Sequence, residues 1–486
     1  MPPQPLAIVG VGASAGGLEA FTALLESVPR DLDVAWVLVQ HLDPTQDSMM
    51  AELLGRHSTI PVTEARPDEP VQPGHVYVIP PDRFLSVDGD TLRLARPAVE
   101  RGKRMAVDYL FRSLAEAFGR RAIGVVLSGT GGDGTHGLRA IKAAGGLTIA
   151  QDPETAAYDG MPRSAIEARA ADLTLPVDEI AGAVVSFLKH PYMREHEPTP
   201  TTKDGAQADR DEVVSESDRE QLGGVLEVLH NELGLDLSTY KLSTLGRRVQ
   251  RRMGLTHVTS MAEYRKRLSH DRQELHELAR DVHVSVTDFF RDPEAFESLT
   301  KSALPKLFEQ AATRPSGERS IRVWVPGCAT GEEAYSIAIA LHELRRERWP
   351  DSGIGIQIFA TDVDTQAIRV ARMGVYPDAC MTNVSEQRRT QWFQQLDTPG
   401  QYRVRQHLRD SLSFAEHNVL SDPPFSKLDL ISCRNLLIYL QRSAQERVLT
   451  TFHFALESQG FLLLGPSEAL GTASDSFRVV DKKWRL

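Results

Sequence analysis

Cysteine is scarce in this chain. Only three cysteines occur among its 486 residues, and no two of them stand at the C-x-x-C spacing; they are Cys328, Cys380 and Cys433. A disulfide framework or a structural zinc site needs more cysteines, or cysteine and histidine at closer spacing. We therefore expect no bound metal and a reducing compartment, the cytoplasm.

The chain also lacks a long apolar run and an excess of positive charge. No apolar run approaches the ~20 residues that cross a bilayer, and no basic segment precedes the first short apolar stretch, so neither direct membrane insertion nor a signal peptide is expected. Acidic residues outnumber basic ones by 66 to 55, which gives a net charge of -11. Nonspecific nucleic-acid binding requires the opposite balance, so no nucleic-acid partner is predicted.

What the sequence does contain is two alternating strand and helix patterns, in a chain long enough for two or three domains. The first spans residues 1–190, and its continuous apolar runs are typical of a parallel sheet covered on both faces. Residues 191–218 are rich in proline, threonine and acidic residues and predict a flexible linker. A helical block follows over 219–292, and the second pattern occupies 293–486. The predicted fold is α/β, with two doubly wound, mainly parallel-sheet domains, the second Rossmann-like and preceded by a small helical domain.

The stretch GVGASAGG, residues 10–17, fits two interpretations. Its glycines could cradle phosphates, or its G-x-S-x-G pattern could place Ser14 on a sharp turn as a nucleophile. A dinucleotide-binding fold places an acidic residue at the end of its second strand, whereas this strand ends in Gln40-His41. We therefore favour Ser14 as the nucleophile, His41 as its base, and the glycines as the residues that expose the serine.

A third polar residue, Asp133, follows another predicted strand in the glycine-rich segment LSGTGGDG. The carboxyl ends of parallel strands share one edge of the sheet, so we expect Ser14, His41 and Asp133 to meet there. Serine needs a base to take its proton, and the base needs a carboxylate to orient it. The chain order Ser, His, Asp differs from the Ser, Asp, His order of α/β-hydrolases.

The segments GASAGG, QHLDP, LSGTGGDG and DGMPRSA together resemble the catalytic domain of chemotaxis-receptor methylesterases of the CheB type. The resemblance covers about residues 6–188. It implies hydrolysis of glutamate methyl esters, and deamidation of glutamine, by Ser14 as nucleophile, His41 as base and Asp133 as orienting acid. It also implies an oxyanion hole made by the backbone N–H groups of Ala15 and Thr130.

The second α/β pattern contains a small-residue turn, GCATG, between a strand and a helix. Its next strand ends in Asp362, a carboxylate able to accept hydrogen bonds from ribose hydroxyls. Neither a Walker lysine nor a G-x-G-x-x-G pattern is present, so the ligand is expected to carry a ribose but no polyphosphate. S-Adenosylmethionine fits, with Glu332 or Glu333 available to its amino acid end.

The segments TDFFRDPEAFE, GCATGEEAYS, FATDVD and SCRNLLIY resemble chemotaxis-receptor methyltransferases of the CheR type, over about residues 219–486. The resemblance implies a site for S-adenosylmethionine, with a methyl-transfer pocket framed by Arg291 and Tyr439. The cofactor-binding residues that it implies are Ser285, Thr287, Arg291, Glu333, Asp362, Asn418, Val419, Arg434 and Asn435.

A run of basic residues, GRRVQRRMG, lies in the helical block. Two interpretations stay open for it: a solvated helix face, or, as the resemblance implies, a surface that docks acidic receptor helices. The arginines concerned are Arg247, Arg248, Arg251 and Arg252.

Together the two resemblances predict a fusion of two opposing enzymes that share one substrate. The expected partners are methyl-accepting chemotaxis receptors, at their cytoplasmic helical methylation region. Stand-alone methylesterases of this type carry a receiver domain ahead of the catalytic domain, and this chain has none, so control by a signalling partner or by a C-terminal extension is expected. Two alternatives stay open: a signalling scaffold that binds ligands without turnover, and a small-molecule esterase joined to an unrelated methyltransferase.

Overall fold

The computed structural model describes residues 5–40, 49–96, 105–194, 216–283, 287–381, 383–397 and 400–486. These residues fold into two compact units. Within the described ranges, the first unit is drawn from residues up to 194, 216–229 and 246–283, and the second from His230–Leu245 and the described residues from 287 to 486. None of the helices within the described ranges is long and apolar enough to cross a membrane.

The strands and helices of the first α/β pattern alternate along the chain. They are β1 (Ala7–Ala13), α1 (Gly17–Glu26), β2 (Val34–Gln40), α2 (Met50–Gly55), β3 (Val62–Glu64), β4 (His75–Val78), β5 (Phe84–Asp88), β6 (Thr91–Ala95), α3 (Ala106–Phe118), β7 (Ala122–Val126), α4 (Thr135–Ala143), β8 (Leu147–Gln151), α5 (Gly160–Glu167), β9 (Leu173–Leu175), α6 (Val177–Lys189) and α7 (Pro191–Arg194). Seven of these strands form a parallel sheet in the order β3-β4-β2-β1-β7-β8-β9, and β5 and β6 form an antiparallel hairpin.

The order of the seven-stranded sheet reverses direction between β1 and β7. The chain runs outward from β1 to β2 and later returns to place β7 on the other side of β1. Ligands of open α/β sheets bind at such a switch point, beyond the carboxyl ends of the strands. β1 is buried along its whole length, as are β7 and β8, because helices cover both faces of the sheet.

Four helices follow: α8 (Glu216–Leu233), α9 (Leu242–Leu255), α10 (Met261–His270) and α11 (Arg272–Val282). Most of α9, with α10 and α11, belongs to the first unit. Residues 191–194 of the predicted linker form the short helix α7, in which Tyr192 and Met193 are 3% exposed, so the linker prediction is wrong for them. The rest of that linker up to residue 215 lies outside the described residues, and the predicted domain boundaries stay a prediction.

The second α/β pattern has its own sheets. Its elements are α12 (Pro293–Ser302), α13 (Leu304–Thr313), β10 (Ser320–Pro326), α14 (Glu332–Arg348), β11 (Gly355–Asp362), α15 (Thr365–Met373), β12 (Val375–Pro377), α16 (Glu386–Trp392), β13 (Phe393–Gln395), β14 (Gln401–Val404), α17 (Gln406–Arg409), β15 (Leu412–Glu416), β16 (Leu428–Cys433), α18 (Arg442–Ala455) and β17 (Leu456–Leu464). Five strands form a parallel sheet in the order β15-β11-β10-β16-β17, and β12, β14 and β13 form an antiparallel sheet.

The five-stranded sheet has its switch point between β10 and β16. The predicted fold class is confirmed, since two mainly parallel sheets are covered by helices and a helical block precedes the second. The switch points place the polar loops after β1 and β7 in the first unit, and after β10 and β16 in the second, where a ligand can reach them.

Candidate active sites

Ser14 lies in the turn between β1 and α1. Its backbone N–H donates to Ser128 O (3.0 Å), which ties the turn to the loop after the neighbouring strand β7. From the other side, Gln40 Nε2 donates to Ser14 O (3.0 Å). Gly16 has φ +71°, a conformation that glycine adopts without strain. The turn is therefore sharp and held from both sides, with the half-buried Ser14 at the switch point.

Gly10 and Gly12 have a different role from Gly16. Both lie inside β1, where a Cβ at Gly10 would come within 2.6 Å of Leu114 Cδ1 and a Cβ at Gly12 would overlap Val107. Their missing side chains let α3 lie close against the sheet. The prediction that these two glycines expose the serine is wrong, and of the three only Gly16 belongs to the turn.

Asp133 lies in the loop after β7 and is 4% exposed. Its Oδ2 accepts a hydrogen bond from Val107 N (3.0 Å) and its Oδ1 accepts one from Asp108 N (2.9 Å), both in the first turn of α3. Unpaired N–H groups and the positive end of the helix dipole stabilise a carboxylate at such a position. The helix therefore fixes the Asp133 carboxylate at the sheet edge on which Ser14 lies.

The loop that contains Thr130 is held by residues 158–161, at the start of the DGMPRSA segment and directly before it. Gly129 N donates to Tyr158 O (2.9 Å), and Met161 N donates to Gly129 O (2.9 Å). Thr130 itself is exposed, and Ala15 accepts through its carbonyl from Ser128 Oγ (2.9 Å). The predicted base, His41, directly follows β2 in the sequence and lies outside the described residues.

Asp362 is the last residue of β11, at the switch-point edge of the second sheet. Its Oδ2 accepts from Ala329 N (2.8 Å), in the turn after β10, and its Oδ1 accepts from Asp364 N (2.9 Å). A carboxylate oxygen can accept more than one hydrogen bond, so Asp362 has the chemistry to accept from ribose hydroxyls.

Glu333 and Arg434 approach each other at the same edge. Glu333 Oε1 accepts from Ser432 Oγ (2.7 Å), and Glu333 Oε2 lies 3.7 Å from Arg434 Nη1. Burial raises the pKa of Glu333, although the charge of Arg434 and the Ser432 hydrogen bond act in the opposite direction. Arg434 is 5% exposed, and its Nε and Nη1 have no hydrogen-bond partner within the described ranges. A ligand that carries both an ammonium and a carboxylate, such as the amino acid end of S-adenosylmethionine, fits these two side chains.

The other predicted cofactor residues lie in loops around this edge. Arg434 Nη2 donates to Arg291 O (3.1 Å), which joins the segment before α12 to the loop after β16. Asn418 follows β15, and its Oδ1 accepts from Leu420 N (3.0 Å). Tyr439 ends a short 3₁₀ turn, Leu437–Tyr439. Six of these residues are half-buried, namely Thr287, Arg291, Asn418, Val419, Asn435 and Tyr439. Ser285 lies outside the described residues.

Three family models match this chain. CheB methylesterase matches residues 9–184; CheR methyltransferase, all-alpha domain, matches 220–282; and CheR methyltransferase, SAM binding domain, matches 285–486. The putative methyltransferase Cher3 of Pseudomonas putida is 31% identical over 54% of this chain, which covers 94% of that protein. The chain belongs to the CheR methyltransferase family, and its residues 9–184 match the CheB methylesterase model.

Two further relatives are longer than the region they share with this chain. An uncharacterized 104.1 kDa protein in the hypE 3'region of Rhodobacter capsulatus is 39% identical over 90% of this chain and 46% of its own length. A protein-glutamate methylesterase/protein-glutamine glutaminase of Rhizobium meliloti is 41% identical over 38% of this chain and 52% of its own length. The chain thus spans about half the length of these two proteins.

The basic run lies on α9, within the CheR all-alpha match, and most of it is buried. Arg251 is 0% exposed, and its guanidinium donates to Asp281 Oδ2 (2.6 Å), to Gly146 O (2.8 and 3.0 Å) and to Asp172. Arg248 donates to Ala143 O (2.7 Å) at the C-terminal end of α4.

Arg252 is also buried, and it forms a bidentate pair with Glu274. The prediction of an exposed docking surface is therefore wrong for Arg248, Arg251 and Arg252, because all three are buried. Arg251 and Arg252 pair with carboxylates, and Arg248 donates to backbone carbonyls. Arg247 is exposed, and docking through it stays a prediction.

The roles of two residues at these sites were not predicted from the sequence. Gln40 holds the turn of Ser14, and its place directly before the predicted base was a signal that could have found it. The charge of Asp362 adds to burial in raising the pKa of Tyr240 to about 12, so these two side chains interact. Tyr240 stands far from the CheR motifs in the sequence, and no local pattern indicated it.

Asp108 is a buried carboxyl beside Asp133. Its Oδ1 accepts from Gly137 N (2.6 Å) in the first turn of α4, while its own N–H holds Asp133. Burial, together with the charge of Asp133, raises the pKa of Asp108 to about 6 against the opposing effects of His136, the Gly137 N–H and Arg112. The helices α3 and α4 are thus joined through two carboxylates, each at the N-terminus of the other helix.

We expect Asp108→Asn to stabilise the first unit above about pH 6. The ordinary pKa of this carboxyl is 3.8, so between these values the folded state holds the proton more tightly and stability falls as the pH rises. The penalty reaches about 3 kcal/mol, and asparagine removes it while it keeps an oxygen for Gly137 N. Urea denaturation at about pH 5 and about pH 7.5 measures the effect. The exposed Asp31→Asn is the control, and an equal effect of Asp108→Asn at both pH values would contradict this account.

Proposed function

We propose that the protein is a bifunctional enzyme that writes and removes methyl esters on glutamate side chains of chemotaxis receptors. The observation that supports this proposal is that polar side chains of suitable types lie at the carboxyl edge of each sheet. In the CheB domain these are Ser14 and Asp133, and in the CheR domain Asp362, Glu333 and Arg434.

For ester hydrolysis, Ser14 Oγ attacks the carbonyl carbon while His41 takes its proton. The Asp133 carboxylate orients His41 and stabilises its charged form. Backbone N–H groups of Ala15 and Thr130 stabilise the oxyanion, and the same proton on His41 passes to the departing methanol. Water then releases the glutamate from Ser14 by the reverse route. A glutamine substrate follows the same steps with ammonia as the leaving group.

For methyl transfer, S-adenosylmethionine supplies an activated methyl group when bound. Asp362 would accept from the ribose, Glu333 would pair with the ammonium group, and the Nε and Nη1 of Arg434 would donate to the carboxylate of the amino acid end. Among the remaining residues, Ser285 and Thr287 contact the cofactor, and Asn418, Val419 and Asn435 complete its pocket.

The substrate glutamate is already ionised at neutral pH, so no general base is needed for its methylation. Arg291 attracts this carboxylate, and Tyr439 lies on the methyl-transfer side of the pocket. Positioning and exclusion of water then supply most of the rate.

The partner is a methyl-accepting receptor at its helical methylation region, reached in the cytoplasm. Arg247 is the exposed arginine of the basic run and is available to an acidic receptor helix. Opposing reactions on one substrate would consume cofactor without control, so a signalling partner or a C-terminal extension is expected to bias one of them.

The experiment that tests this proposal follows one labelled methyl group through both reactions. With methyl-labelled S-adenosylmethionine and a receptor fragment, we expect label to enter base-labile esters on the receptor and then to appear as methanol. Cofactor binding without either event would favour a signalling scaffold instead. Methanol release from small esters but not from the receptor would favour the small-molecule esterase.

A further inference from the structure

One buried carboxylate of the CheR domain lies outside every predicted site. Glu468 is 3% exposed and stands four residues beyond the end of β17. Its Oε2 accepts from Asn435 N (3.0 Å) and from Gly465 N (2.6 Å), and its Oε1 accepts from Leu437 N (2.7 Å). A single side chain therefore satisfies three backbone N–H groups, two of them in the loop after β16.

The loop that Glu468 holds has an unusual backbone. Asn435 has φ +61°, a left-handed conformation that glycine adopts most readily and asparagine more often than most other residues. Leu437, whose N–H also binds Glu468, is the first residue of the 3₁₀ turn that ends at Tyr439. The carboxylate is thus placed where it stabilises both the left-handed Asn435 and the start of the turn.

The fit between Glu468 and this loop leaves no spare room. A Cβ at Gly465 would lie 2.8 Å from Glu468 Oε2 and 3.0 Å from Asn435 N. Arg434, directly before Asn435, is itself held through its guanidinium by Arg291 O. The segment 434–439 is consequently held at two places. The Arg434 side chain binds Arg291 O, and the backbone N–H groups of Asn435 and Leu437 bind Glu468.

We propose that Glu468 is a positioning residue for methyl transfer, because it fixes the backbone from which Arg434, Asn435 and Tyr439 reach the cofactor. This inference rests on the proposed function, which assigns those three residues to the cofactor and the methyl-transfer pocket. Glu468 has no contact with substrate in this account, and it acts only through the loop.

The test is Glu468→Gln. Glutamine has almost the same size as glutamate, but an NH₂ group replaces one of the two acceptor oxygens. An amide has one oxygen, so it can serve either the Asn435 side or the Leu437 side, while its NH₂ group meets a backbone N–H on the other. We expect the Kd for S-adenosylhomocysteine, measured by calorimetry, and the KM for S-adenosylmethionine to rise at least about tenfold. Glu468→Asp, which keeps the charge but is too short to reach both sides, is expected to behave alike.

Several measurements separate positioning from mere stability. Glu457→Gln, an exposed glutamate on β17, is the matched control, and methyl ester hydrolysis by the same chain reports on the first unit. A variant that only unfolds more easily binds fewer equivalents of S-adenosylhomocysteine at an unchanged Kd, and that result would overturn the proposal. An unchanged Kd and KM in both Glu468 variants would overturn it too.

The proposed function has a separate criterion. The unsubstituted protein must bind S-adenosylhomocysteine, and Asp362→Ala must weaken that binding. If the unsubstituted protein does not bind it, the proposed function and the role of Glu468 fail together. If it binds and only the Glu468 variants are unaffected, the role of Glu468 fails alone.

Discussion

Replacing Ser14 with alanine is expected to lower methyl ester hydrolysis by roughly 10⁴-fold or more and to leave methyl transfer unchanged. The substitution removes the atom that attacks the ester, while the turn itself is held by the backbone N–H and carbonyl of residue 14. Methanol release from a methylated receptor fragment measures the loss, and incorporation of labelled methyl measures the activity retained. Ser27→Ala, at the opposite end of α1, is the matched control.

A double substitution tests whether Ser14 and Asp133 act together. Asp133→Asn alone is expected to cost a similar factor, because the amide can no longer stabilise a charged His41. Residues that act as one unit give non-additive losses, so Ser14→Ala with Asp133→Asn should be no slower than Ser14→Ala alone. Multiplied losses would show that Asp133 acts elsewhere, and an undiminished rate in Ser14→Ala would refute the triad.

Replacing Arg251 with methionine is expected to destabilise the first unit by about 3–5 kcal/mol. The side chain is fully buried between Asp172 and Asp281, and its removal leaves two carboxylates without their main counter-charge. Lys142 stays 3.0 Å from Asp172 Oδ1 and compensates only in part. Hydrogen exchange of the amides of β8, in the core of the first sheet, measures the free energy of unfolding.

Arg247→Met is the matched control for Arg251, because it makes the same change at an exposed position of the same helix. Its effect should stay within about 0.5 kcal/mol. Adding Asp172→Asn to Arg251→Met should recover part of the lost stability, since one uncompensated charge is removed. A loss below about 1 kcal/mol for Arg251→Met would show that α9 does not pack on the first sheet in solution.

The sheets and their edges could be predicted from the sequence because they depend on local patterns. Continuous apolar runs identify buried parallel strands, and the residue after each run necessarily lies at the carboxyl edge. This reasoning placed Ser14 and Asp133 on one edge, and Asp362 at the end of its strand. It needed neither distances nor contacts.

The burial of the basic helix could not be predicted in this way. The sequence pattern of four arginines at helical spacing is the same whether their side chains face water or carboxylates from distant parts of the chain. The groups that neutralise Arg251 are Asp172 and Asp281, which lie on either side of it at long sequence separation. The role of Glu468 could not be predicted for a similar reason, because its partners are backbone N–H groups, which no sequence pattern identifies.

Because α3 lies close to β1, the proposed esterase site depends on the size of β1 residues that do not contact the ester. The first turn of α3 holds Asp133. The absence of side chains at Gly10 and Gly12 of β1 determines how close that helix lies to the sheet. One methyl group at Gly12 would overlap Val107, whose N–H holds the Asp133 carboxylate. The proposed hydrolysis therefore depends on small residues inside the strand, whose glycine spacing resembles a nucleotide-binding loop.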